Sequence, residues 1–176
     1  MEKTNKSNSN TSPVLVLVIL VVAVLIILFL LNLVVGSAIE ANSGESFDAS
    51  FEVLPTADAF EKADATLGDV DGVTVKSVFT ASNGAGKTAT VTVNGYGGPM
   101  DIVVGVDSGG AITGVKVMEN TETEGIGSKA TAPEHTSKFV GQGDGSAVEA
   151  VSGATVSSTA INKAVAAAYG AIAEVQ

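Results

Sequence analysis

The chain contains no cysteine, no tryptophan and no arginine; its nine basic residues are all lysines. The missing cysteine excludes disulfides, thiolate zinc sites, cysteine-ligated iron–sulfur clusters and a lipoprotein anchor. Any redox chemistry must come from a cofactor held in another way. The missing arginine removes the planar guanidinium fork that commonly grips a phosphate. A phosphate here has to be held by backbone N–H groups, hydroxyls, lysine or a covalent bond. Aromatic residues make up only 5% of the chain, and His135 is the single histidine. With no second ligand near it in sequence, His135 reads as a surface residue rather than a metal ligand. The net charge is −10 and no basic cluster occurs. That balance excludes nucleic acid as a partner.

What the chain does have is one long apolar run. Val14 to Val35 is interrupted only by Asn32, and as a helix at ~1.5 Å per residue it spans ~33 Å, enough to cross the hydrocarbon core. Residues 14–36 therefore read as a single transmembrane helix in a lipid membrane. Lys3 and Lys6 precede it, and Glu40, Glu45, Asp48 and Glu52 follow. The positive-inside rule places the N-terminus in the cytoplasm and the rest outside the cell membrane. Gly36-Ser37-Ala38 offers a cleavage site for a signal peptide, but the run exceeds an ordinary signal core of ~7–15 residues. The polar residues 1–13 read as a disordered cytoplasmic arm, and residues 37–50 as a linker.

Residues 51–176 read as one extracytoplasmic domain of α+β class. Pro55 to Lys62 is expected to form a short helix. From Val73 the pattern changes: Val73, Val75 and Ser77 alternate with Thr74, Lys76 and Val78. Thr88 to Asn94, Met100 to Asp107 and Ala111 to Met118 read as further strands. Turns at Ser82–Gly86 and Asp107–Gly110 complete an antiparallel meander of about four strands. Pro133 opens a short helix through Phe139. Ser157 to about Ala173 is alanine-rich, with Ile161, Val165, Ala168 and Ile172 at helical spacing, and reads as a helix packed on the sheet. Phe139 and Tyr169 are core candidates.

The last helix is preceded by Glu149-Ala150-Val151-Ser152-Gly153-Ala154-Thr155-Val156-Ser157-Ser158. Gly153 permits a tight turn. Thr155 presents a hydroxyl just before the helix. Ser157 and Ser158 are candidate N-caps beside unpaired first-turn N–H groups. A phosphate on Thr155 would meet the positive end of the helix dipole. Ser-Gly-Ala-Thr after an acidic residue resembles the flavinylation motif of FMN-binding domains. Such domains occur in the G subunit of the Rnf ferredoxin:NAD electron-transport complex and the C subunit of the sodium-translocating NADH:quinone reductase. Three more features occur in the family's order: Gly95-Tyr96-Gly97-Gly98-Pro99-Met100, the hairpin Val103–Val117, and Glu122-Thr123-Glu124-Gly125-Ile126-Gly127. The chain departs from the family pattern at Glu149 (usually Asp), Glu124 (usually Pro), Ile126 (usually Leu) and Asn120 (often His).

The resemblance implies FMN joined through its phosphate to Thr155 by a flavin transferase. It implies cofactor contacts from Ser152, Gly153, Ala154, Val156, Ser157 and Ser158. On the second loop, Gly125 and Gly127 are expected to bring backbone N–H groups to the flavin ring, Ile126 to pack on its face, and Glu122 and Thr123 to meet its edge or ribityl chain. The implied role is electron relay within a membrane-bound, ion-translocating ferredoxin:NAD oxidoreductase, next to the integral flavin-carrying D subunit, with no substrate chemistry of its own. The alternatives are a stand-alone anchored flavoprotein feeding an extracytoplasmic reductase, and a non-redox surface domain in which Thr155 only caps a helix. Ala81–Thr88 resembles a relaxed P-loop, but a β-branched run follows it where a P-loop needs a helix.

Overall fold

The computed structural model describes residues 16–17, 19–22, 24, 46–65, 68–144 and 148–175. The chain divides into two units, residues 1–43 and 44–176. The described residues of the first are helical and exposed. No helix among the described residues is long and apolar enough to cross a membrane. Most of the expected 14–36 span, the 1–13 arm and most of the 37–50 linker lie outside the described residues.

The second unit is built on an antiparallel sheet with helices on both faces, the expected α+β class. In chain order its strands are β1 (Phe60–Lys62), β2 (Gly68–Val70), β3 (Val73–Ala81), β4 (Gly86–Asn94), β5 (Pro99–Asp107) and β6 (Ile112–Asn120). Strands β3 to β6 form the expected meander, and β1 and β2 both pair with the outer edge of β3. The β5–β6 hairpin closes through Asp107, whose Oδ1 accepts the N–H groups of Gly109 and Ala111 at 2.9 Å each. Alternation along β3 does not run straight through. Val75 faces Val91 and Ser77 faces Thr90, so Lys76 is an extra residue in a bulge. The bulge brings Val78 onto the same buried face as Val73 and Val75. A strict period of two places Val78 on the opposite side.

The helix α4 (Thr155–Glu174) covers one sheet face. Ile161, Ala164, Val165 and Ala168 meet Val78, Ala89, Val91, Ile102 and Val104 in the main core. Its alanines allow close approach to the β-branched sheet. Helical residues 46–53, here α1, cover the other face. Ala49 and Val53 pack on Val103, and Thr88 Oγ1 donates to Ser50 Oγ at 2.9 Å. The sheet admits α1 through the cross-strand glycine pair Gly105 and Gly114. A Cβ on Gly105 would lie 2.6 Å from the Val53 carbonyl oxygen.

Residues 46–50, read from sequence as linker, thus belong to the domain. Phe47 and Phe51 are the reason: both rings make edge contacts with Phe60, at centroid distances of 6.1 and 4.8 Å. That cluster also explains why the helix expected over Pro55–Lys62 is a turn followed by β1. Phe60 is drawn into the aromatic cluster beside Phe79 and Leu54, and strand pairing with β3 satisfies the backbone.

Two short helices, α2 (Ser128–Thr131) and α3 (Pro133–Thr136), lead into a 3-10 turn at Ser137–Phe139. Phe139 is fully buried, as expected, and Tyr169 is half-buried with its hydroxyl donating to the Gly110 carbonyl at 3.1 Å. His135 is not on the surface. It is 1% exposed, stacked edge-on against Phe139 at 5.5 Å, and neither ring nitrogen has a hydrogen-bond partner. The helical turn that begins at Pro133 rotates it inward.

Burial, and then the nearby Lys138, hold the His135 pKa below its ordinary 6.5. The folded state therefore favours the neutral ring. Stability is fully present above pH ~6.5 and falls as the pH drops below it, because the unfolded chain binds the proton more tightly. Thermal melts from pH 7.5 to 5 are expected to show this loss, and His135→Phe to flatten it. Gly105→Val is expected to cost ~1–3 kcal/mol in chemical denaturation by forcing α1 off the sheet.

Candidate functional site

Thr155 is exposed and is the first residue of α4 rather than the residue before it. Ala154 occupies the N-cap position and is buried. Alanine offers no side-chain oxygen, so no cap hydrogen bond closes this helix end. The turn before it is tight. The Ala154 N–H donates to the Val151 carbonyl at 2.9 Å, and Gly153 holds φ +81. Ser152 and Gly153 are exposed, as is Val156 at 58%. Glu149 is exposed in the segment leading in. The lysine nearest the turn is Lys129, whose Nζ lies 3.8 Å from where a Gly153 Cβ would sit.

Ser157 and Ser158 are not N-caps. Because α4 starts at Thr155, both lie inside its first turn and both are fully buried. Ser158 Oγ donates to the Ala154 carbonyl at 2.8 Å and accepts the Val151 N–H at 3.0 Å, which clamps the turn to the helix. Ser157 Oγ donates to Glu122 Oε2 at 2.9 Å and accepts the Tyr96 N–H at 3.2 Å.

Glu122 ties together three segments that are far apart in sequence. Its Oε2 also accepts the Gly97 N–H at 3.3 Å. Its carboxylate fills space that side chains would otherwise occupy: a Cβ on Gly127 would lie 1.5 Å from Oε2, and one on Gly95 would lie 1.9 Å from Oε1. The glycines of both motifs thus make room for this carboxylate. Oε1 of this side chain is buried. Of the glycine N–H groups expected to face a ring, that of Gly125 is engaged within the loop. The Gly125 N–H donates to Ser128 Oγ at 2.9 Å and the Ile126 N–H to the Thr123 carbonyl at 3.1 Å. Thr123 is exposed, and Ile126 is 42% exposed.

A cleft of about 410 Å³ has Thr155 in its wall and none of the residues of this loop. Asp71, Asn94, Val156, Thr159 and Lys163 help to line it. Of these, sequence reasoning had placed only Val156 at the site. Lys163 and Thr159 carry a readable signal, since Thr155, Thr159 and Lys163 are spaced four apart and share one helix face. Asp71 and Asn94 come from the strand side and carry no such signal. The cleft adjoins a second of about 600 Å³, which shares Asp71 and Lys163 and adds Val70, Ala166 and Ala167. Among the described residues no cluster suited to a metal ion is present.

Gly127→Ala is expected to destabilise the domain by roughly 1–3 kcal/mol, since Glu122 must leave Ser157 and the Gly97 N–H unsatisfied. Urea denaturation checks this. Glu122→Ala combined with Gly127→Ala is expected to cost less than the sum of the two single changes.

The FMN-binding domain model matches residues 95–170, which spans the glycine turn, the Glu122 loop and the start of α4. The G subunit of an ion-translocating oxidoreductase complex from Methanosarcina acetivorans is 34% identical over 127 residues, covering 65% of this chain and 68% of that protein. The corresponding G subunit from Cereibacter sphaeroides is 40% identical over 98 residues, 52% of this chain and 44% of its own length. The G subunit of a sodium-translocating ferredoxin:NAD oxidoreductase complex from Acetobacterium woodii is 29% identical over 135 residues, covering 66% of this chain and 64% of that protein. These matches show that the chain belongs to the FMN-binding domain family that includes the G subunits of ion-translocating oxidoreductase complexes.

Proposed function

We propose that this chain is the electron-relay subunit of a membrane-bound, ion-translocating ferredoxin:NAD oxidoreductase complex, carrying FMN as a phosphoester on Thr155. The observation that supports it best is an exposed Thr155 hydroxyl at the uncapped start of a 20-residue helix. Unpaired first-turn N–H groups and the helix dipole favour a phosphate there. An arginine-free chain has few other ways to retain one. The residues fit the group: Gly153 leaves the approach to Thr155 clear, and Lys129 adds positive charge beside the turn.

The flavin, when bound, supplies reversible uptake and release of electrons. The chain's own residues hold and orient it. Ser158 and Ser157 lock the tether turn to the loops, so that Thr155 starts from a fixed position. Ile126, Tyr96 and Val156 are exposed apolar side chains on the flanking segments. They face a partner or a ring rather than a core.

The charge asymmetry around residues 14–36 supports a single membrane anchor with the flavin domain outside the cell membrane. The names of the relatives support membership of a multi-subunit complex. The integral flavin-carrying D subunit is the partner proposed for electron exchange, and a flavin transferase for maturation.

The test is intact mass and visible absorbance of protein made with a flavin transferase present. Wild type is expected to be yellow and heavier by one FMN less water. Thr155→Ala is expected to be colourless at apoprotein mass with its fold intact, and Thr155→Ser to keep partial loading. A wild type at its bare polypeptide mass, or the same FMN increment on Thr155→Ala as on wild type, would overturn attachment at Thr155 and leave the residue as part of a helix start.

A further inference from the structure

We infer that Ser158 and Asn162 are positioning residues for the modification of Thr155: from one face of α4 they hold residues 148–155 in the shape that the flavin transferase binds. This rests on the attachment proposed above and concerns the chain before FMN is joined to it.

The segment needs such support because it has no backbone ladder of its own. Residues 148–151 belong to no helix or strand, and a turn at Ser152 and Gly153 follows. Its burial repeats every three residues. Val148, Val151 and Ala154 pack into the main core, whereas Glu149, Ser152 and Thr155 are exposed. Neither a helix nor a strand has that period, so regular pairing does not fix the segment. Its buried backbone groups must be met in another way.

Two side chains of α4 meet them. Asn162 Nδ2 donates to the Val148 carbonyl at 2.6 Å. Ser158 Oγ accepts the Val151 N–H at 3.0 Å and donates to the Ala154 carbonyl at 2.8 Å. The two residues are four apart and share a helix face. All three inward residues are thus pinned through their backbone, and the side chains of Glu149, Ser152 and Thr155 are left to solvent. Asn162 supplies a second argument. Its Oδ1 is buried without a hydrogen-bond partner. An unpaired buried oxygen costs stability, so the bond to Val148 explains this residue better than packing does.

The transfer joins Thr155 Oγ to the FMN phosphorus of FAD. The bond from that phosphorus to the bridging oxygen breaks, AMP leaves with that oxygen, and the hydroxyl proton passes to the medium. Nothing is oxidised or reduced. The bonds of Ser158 and Asn162 go to backbone groups, not to the Thr155 hydroxyl. Their effect therefore falls on docking. A segment already in its bound shape loses less conformational freedom on association. Releasing it raises KM for the protein and leaves kcat unchanged, the pattern of lost uniform binding.

The experiment uses the full chain, produced without a flavin transferase and purified in detergent. It is supplied with FAD and a flavin transferase over a range of chain concentrations, and initial rates are read as protein-bound flavin fluorescence. The variants are Ser158→Ala, Asn162→Leu and Tyr169→Phe. Asn162→Leu keeps the volume and removes the donor together with the unpaired oxygen, so its thermal stability is expected to be maintained. Tyr169→Phe removes a hydrogen bond near the other end of α4 and serves as the control for general loosening. Ser158→Ala and Asn162→Leu are each expected to raise KM roughly fivefold at constant kcat, the factor of one net hydrogen bond. Tyr169→Phe is expected to change neither constant. An unchanged KM in both, a fall in kcat alone, or an equal rise in KM for Tyr169→Phe would overturn the positioning role and leave the attachment standing. A wild type that takes up no FMN would instead overturn attachment at Thr155 itself.

Discussion

The carboxylate of Glu122 is the contact on which the geometry around Thr155 depends. It sits where side chains of Gly95 and Gly127 would be and bonds both the Gly97 N–H and Ser157 Oγ. One side chain therefore joins the turn after β4, the loop after β6 and the first turn of α4. A partly buried carboxylate is costly to desolvate unless its lone pairs are met. Partners for Oε2 come from two of the three segments, and Oε1 has none. Moving any segment would leave charge unsatisfied, so the segments move together or not at all. The start of α4 is held by this constraint, and the exposed Thr155 inherits its position from it.

The sheet provides the frame that makes such precision possible. Its two faces are covered by different means. The alanines of α4 let a helix lie close on β-branched residues. On the opposite face Gly105 and Gly114 let the backbone of α1 reach the sheet. With both faces covered, the accessible rim is left at the strand ends and the loops. The turn before Thr155, the Glu122 loop and the β2–β3 turn all lie there. A cofactor carrier that must receive and pass electrons benefits from a rigid body and an accessible rim.

The chemistry of anion retention follows from composition. Lacking arginine, the chain has only lysines for positive charge, and two of them are paired: Lys76 with Asp101 and Lys116 with Glu52. Lys129 lies beside the turn before Thr155 and Lys163 lines the cleft that holds it, and among the described residues neither is in a salt bridge.

Much of this was legible in the amino-acid order. The meander from Val73, the Asp107 hairpin turn, the Pro133 helix start and the last helix follow from local period and turn chemistry, which act within a few residues. The glycine motifs and Ser-Gly-Ala-Thr identified the family and the residue Thr155. What local pattern did not carry are the features set by contacts across the fold. Phe47 and Phe51 turned expected linker into α1, and Phe60 turned an expected helix into an edge strand, because aromatic burial outweighs weak local preference. The bulge at Lys76 re-aimed Val78. His135 went inside because a helical turn rotates it onto Phe139. Ser157 and Ser158 became interior clamps because the helix begins two residues earlier than their hydroxyls suggested. The sequence by itself determined the family, the β3–β6 meander and the candidate hydroxyl of Thr155, since these rest on short-range pattern. Only the tertiary structure decided what Glu122 does and which cleft Thr155 opens on, because both depend on residues that chain order separates and packing brings together.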